Sequence, residues 1–139
     1  MLYEFLASPL SISDVVPSAT PIFGSFNKIL GHSAFGDLFV QNPDTNQIGV
    51  FVAAELKLVD VGHDAVDEFT SKFLEDPSVA SEFLRQDDLS KLIDLHDDLG
   101  KEEVFYPVPH PVIGGSGNLD TYQKGNVFTN LEILAQTLS

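Results

Sequence analysis

Apolar residues follow β-type patterns through the first half of the chain and recur at helical spacing through much of the second. "FGDLFVQ" (35–41) and "IGVFVA" (48–53) are rich in Phe and Val, and "NPDTNQ" between them supplies turn residues at hairpin spacing. "ELKLVDV" (55–61) alternates, with Leu56, Leu58 and Asp60 on one side and Lys57, Val59 and Val61 on the other. A three-strand antiparallel meander is the expected product. "PIFGSFNKILGHSAFG" (21–36) is a candidate further strand interrupted by glycines.

The period then changes. Val66, Phe69 and Phe73 recur at i, i+3 and i+7 behind Asp64 as N-cap, and "DPSVASEFL" opens a second helix with Asp76 as N-cap and Pro77 at its first position. Leu89, Leu92, Ile93 and Leu99 form a third helical stripe that ends at Gly100, the expected left-handed cap. "EEVFYPVPHPV" (102–112) returns to extended character, and its three prolines restrict it to an edge strand or an extended crossing. In "TNLEILAQTL", Thr129 and Glu132 stand at capping-box spacing, with Leu131, Leu134, Ala135 and Leu138 on one face of a final helix. The elements predict an α+β fold: an antiparallel sheet of three or more meander strands plus a C-terminal edge strand, with about four helices packed on one face. All 139 residues form a single domain on this reading.

Composition narrows the possibilities. Hydrophobic residues make up 43% of the chain, too many for a disordered protein despite a net charge of −14. The absence of cysteine removes disulfides, zinc–thiolate sites and cysteine nucleophiles, and fits a reducing compartment. "MLYEFLASPLSISDVV" has no basic region ahead of its apolar residues and is broken by Glu4, so it does not read as a signal peptide, and the cytoplasm is the expected location. Seven Lys and Arg against 21 Asp and Glu argue against direct nucleic-acid binding, and no membrane-spanning run exists.

Candidate chemistry concentrates in "HPVIGGSGNLDTYQKGN" (110–126), yet its spacing satisfies no known device. Gly114, Gly115 and Gly117 match neither the P-loop nor the dinucleotide fingerprint, and Gly-Gly-Ser-Gly is not a nucleophile elbow around Ser116. A turn built on glycine accounts for the loop, with a hydrolase using His110 or Ser116 as a minor alternative. His32, His63, His96 and His110 are scattered one per segment, so neither a metal nor a cofactor is expected, and His96 is placed on a solvated helix face. The carboxylates are more informative. Residues 60–103 carry fourteen Asp and Glu against four Lys and Arg, a local net of −10, and amphipathic helices would turn most of them outward. The candidate partner-binding residues are Asp87, Asp88, Asp94, Asp97, Asp98, Glu102 and Glu103, with Tyr106 and Tyr122 as aromatic anchors.

"SAFGDLFVQNP", then the acidic "DEFTSKFLEDP", then "EEVFYPVPHPVIGGSGNLDTYQKGNVFTNLEILAQ" together resemble the C-terminal domain of type VI secretion immunity proteins that neutralise a DNase effector. The family pattern falls on Ala34 to Asp37, on Phe83 and Leu84, on Tyr106 and Pro107, on Gly114 and Gly115, and on Leu134 to Gln136. The likeness covers residues 33–138 and leaves 1–30 as a short N-terminal extension in place of the GAD-like domain of larger members. It implies a non-enzymatic protein that binds and inhibits a cognate effector toxin with a basic surface. The alternative is a small ligand-binding or regulatory module with a pocket near the glycine loop.

Overall fold

A computed structural model describes residues 2–138. Five strands form one antiparallel meander in sequence order: β1 (Tyr3–Ser11), β2 (Lys28–Ser33), β3 (Leu38–Gln41), β4 (Ile48–Val52) and β5 (Lys57–His63). The expected three strands are its second half, each within a few residues of its forecast position. The candidate strand in 21–36 is real and is β2. Residues 3–11, set apart in sequence as part of an extension, instead pair with β2 and close one edge of the sheet. Glu4, which interrupts the apolar N-terminus, has a structural use there: its Oε1 lies 3.4 Å from Nε2 of buried His32 and accepts the Glu102 N–H at 3.2 Å.

The α+β class and the antiparallel meander hold, but the helices cover both faces of the sheet rather than one. On the first face Ile29, Leu38, Val40 and Phe51 pack against α1 (Ile12–Val15), α2 (Thr20–Phe23) and α6 (Val127–Leu138). On the second, Leu30, Phe39, Ile48 and Val50 meet Phe69 from α3 (Val66–Phe69), Leu74 from its π-helical continuation (Thr70–Leu74) and Leu84 just past α4 (Pro77–Glu82). The reason lies in β3 and β4, whose apolar residues are consecutive instead of alternating, so both faces need cover.

The proline-rich segment also departs from expectation. It forms β6 (Glu103–Pro107), which pairs with β7 (Tyr122–Asn126) in a separate two-stranded sheet rather than at the edge of the meander. α5 (Gln86–His96) seats Leu89 and Leu92 against Phe105, Tyr122, Ala34 and Phe35, joining that small sheet to the β2–β3 turn.

Three helix ends differ from their forecasts. α3 begins after Ala65 rather than Asp64. α5 ends at Asp97, which takes the positive φ expected of Gly100. α6 is capped three residues early, because Asn126 Oδ1 accepts the N–H groups of Phe128 and Thr129, so the cap is an asparagine and not the Thr129 box. Asp76 and Pro77 do start α4 as forecast: the Asp76 carboxylate accepts the Ser78 N–H at 2.8 Å and its hydroxyl at 2.6 Å, bonds that hold its pKa below 3.8.

Candidate functional site

The glycine loop is a wall, built from the backbone. His110 is buried; its Nδ1 accepts the Val112 N–H at 3.0 Å, so the ring proton sits on Nε2, which donates to the Ala53 carbonyl at 2.9 Å. One nitrogen thereby holds the loop's own turn and the other ties it to the end of β4. Ser116 is exposed and its Oγ accepts the Asn118 N–H at 3.2 Å. No hydrogen bond joins His110 to Ser116 among the described residues, so the pair forms no nucleophile and base. Gly114 and Gly117 take positive φ, while Gly115 is needed for space: a Cβ there would collide with the Pro109 carbonyl oxygen.

Behind this wall lies a cavity of about 450 Å³, within the usual range of ligand pockets, between the loop, the end of β4, the start of α5 and α6. It adjoins the loop, where the alternative of a ligand-binding module put a pocket; His110 and Tyr122 line it and Ser116 does not. Six polar side chains not expected at a site also line it: Asp37, Glu55, Glu82, Arg85, Asn130 and Thr137, of which Asp37 and Asn130 are buried.

Arg85 precedes α5 in the left-handed conformation. Its guanidinium lies 4.1 Å from the Phe35 ring centroid and 5.3 Å from that of Tyr122, and it donates to the Tyr122 hydroxyl at 2.9 Å and to Asp88 Oδ2 at 3.0 and 3.1 Å. Burial works against this charge, but the Tyr122 and Asp88 contacts outweigh it and move the pKa further up. Tyr122 is thus a buried prop, 6% exposed, and not the surface anchor expected of it. Tyr106 is half-buried and forms part of the cavity wall.

Asp37 closes the "AFGD" segment, which is the β2–β3 turn and not a strand: Ser33 Oγ accepts the N–H groups of Phe35 and Asp37, and Gly36 takes positive φ. The Asp37 carboxylate is buried and accepts the Ser33 hydroxyl at 2.7 Å and the Ala53 N–H at 2.8 Å. Burial raises its pKa above 3.8, while these bonds and the nearby Arg85 charge oppose that shift without cancelling it. The folded chain therefore holds the Asp37 proton more tightly than the unfolded chain. The resulting stability is complete below the ordinary carboxylate value and is lost as pH rises through the raised one. Asp37→Asn should remove this dependence: urea midpoints from acid to neutral pH should show the variant gaining on the parent as pH rises, and parallel curves would contradict the assignment.

The carboxylates divide into two groups. Asp87, Asp94, Asp97 and Asp98 are exposed along and just beyond α5, with Asp87 and Asp94 two turns apart on one side of the helix. Leu95, 69% exposed, sits among them. Asp88, Glu102 and Glu103 are half-buried and structurally occupied, Asp88 by Arg85 and Glu103 by the Gly100 N–H at 2.6 Å; Glu102 works through its backbone, which donates to Glu4 and accepts from Val127. His96 is half-buried against Phe105 rather than solvated. Among the described residues no group of His, Asp and Glu is placed to hold a metal ion, and no helix is long and apolar enough to cross a membrane.

No protein-family model and no curated protein matches the sequence. The crystal structure of Atu4351 from Agrobacterium tumefaciens is similar in fold, with a TM-score of 0.66 over 97% of this chain at 15% sequence identity. This chain spans 66% of the length of that one. At such an identity the likeness establishes the α+β architecture and carries no residue roles.

Proposed function

We propose that the chain is a non-enzymatic binding protein that neutralises a toxic effector by direct contact, an immunity protein acting in the cytoplasm. The observation that carries this reading is the exposed C-terminal end of α5, where Asp94, Asp97 and Asp98 flank the exposed Leu95, with Asp87 two turns back along the helix. Carboxylates around an exposed apolar side chain have the composition of a steered interface: the charges speed encounter with a basic partner and the apolar residue supplies contact once water is excluded. The sequence resemblance to type VI secretion immunity domains supports the same reading. A nuclease effector is basic where it grips DNA, so an acidic protein seated on that surface would compete with the substrate.

The test is association kinetics against the purified product of the gene adjacent to the one encoding this chain. Asp94→Asn, Asp97→Asn and Asp98→Asn combined should slow association about tenfold at low salt and flatten its dependence on ionic strength. An unchanged salt dependence would move the interface off α5.

The cavity favours a second reading, a small ligand-binding or regulatory module. Its volume suits a free small molecule, and it adjoins the glycine loop where such a pocket was expected.

A further inference from the structure

We propose that the cavity is an anchor socket for a peptide segment of a partner protein: an aromatic or large apolar side chain enters it, the segment's backbone amide pairs with Asn130, and a flanking lysine or arginine meets Glu55 and Glu82. This specifies the contact made by the binding protein argued above and rests on that reading.

Asn130 is the first reason. It is 4% exposed, lines the cavity, and its amide has no hydrogen-bond partner among the described residues. With no protein partner, this amide is left to water on the cavity wall, and it stands where the apolar stripe of α6 would otherwise carry a hydrophobic residue. It offers a donor and an acceptor side by side, which a peptide unit satisfies with its own C=O and N–H. The remaining walls are largely apolar, with Phe35, Val52, Phe83, Tyr106 and Leu134 facing the space.

The rim is the second reason and selects a protein over a free small molecule. Large exposed apolar residues gather at the cavity mouth: Val108, Ile113 and Ile133 line it, and Val112 beside them is 61% exposed. A molecule enclosed by the cavity leaves this collar in water, whereas a docking protein covers it. Charge is the third reason. Arg85 already engages Asp88 and Tyr122, while Glu55 and Glu82 are exposed side chains of the lining, so a cationic flank is favoured and an anionic one opposed. α5, about 16 Å long, begins beside Arg85, so a partner with an ordinary footprint of about 800 Å² could cover the socket and the acidic end of the helix together.

The test is an amide-proton NMR titration of the full chain with three probes: acetyl-Lys-Trp-Lys-amide, acetyl-Glu-Trp-Glu-amide and N-acetyltryptophanamide. The lysine peptide should shift the Asn130 side-chain amide and the backbone signals of the cavity lining, binding at least about fivefold more tightly than either other probe. Asn130→Leu should weaken it about tenfold, and Ile133→Lys, at an exposed position that does not threaten folding, should weaken it as well. Shifts absent from the cavity, or N-acetyltryptophanamide binding as tightly as the lysine peptide, would overturn the proposal, the latter marking a site for a free small molecule. The two readings fail separately. If the adjacent gene product is harmless but the lysine peptide seats in the cavity, the toxin reading falls and the socket stands. If the toxin is neutralised and Asn130→Leu binds it as tightly as the parent, the socket falls and the toxin reading stands.

Discussion

Phe39→Ala is expected to destabilise the protein by about 3–5 kcal/mol, the cost of emptying a fully buried phenylalanine site whose surroundings collapse only in part. Phe39 is completely buried on the central strand β3, with its ring 6.4 Å from Tyr3, 6.0 Å from Phe5 and 5.4 Å from Phe69. It joins the edge strand β1 to α3 across one face of the sheet. Since a domain of this size is stable by only about 5–15 kcal/mol, the loss should appear as a large drop in the urea midpoint. A cost below about 1.5 kcal/mol would mean that the ring cluster does not form as described.

The second large effect is expected at Gly115. Gly115→Val places side-chain carbon against the Pro109 carbonyl, a backbone atom that cannot rotate away, and the Gly115 N–H bond to the His110 carbonyl at 3.1 Å must open. The expected cost is about 2–4 kcal/mol, together with loss of the His110 bond to Ala53 that fixes the loop. Ser116→Ala, one residue along on an exposed side chain, should stay within about 0.5 kcal/mol of the parent. Denaturation midpoints, with hydrogen exchange at the Gly115 amide, check both. Equal effects at the two positions would mean that the loop's composition matters and its close packing does not.

These two positions also mark how far the sequence can be read. The antiparallel meander and the helical second half are visible in the shift from β-type pattern to helical spacing. The two-sided cover was open to inference as well, because "LFV" and "IGVFV" are consecutive apolar runs of the kind that strands buried on both faces require. Strand β1 was not, since Ala7, Ser8 and Pro9 break its pattern at the point where its pairing with β2 becomes irregular. Helix ends shifted wherever a neighbour competed for the cap, as Asn126 did with Thr129 and Asp97 with Gly100.

The site was less legible than the fold. Asn130 left a usable trace, a polar residue three positions after Val127 and one before Leu131 on the buried side of α6. Asp37 appeared only as the last letter of a motif. Arg85 left none: its partner Tyr122 lies 37 residues away, and only the folded chain brings the two together with Phe35. Tyr122 misled for the same reason, because a tyrosine beside a loop reads as exposed until something is found to stack on it.

The most direct test of the central claim is growth of cells that produce the adjacent gene's product with and without this protein. The account predicts that the product alone arrests growth, that this chain restores it, and that the two purify together as a stable complex. A harmless product, or growth restored without any complex between them, would contradict it.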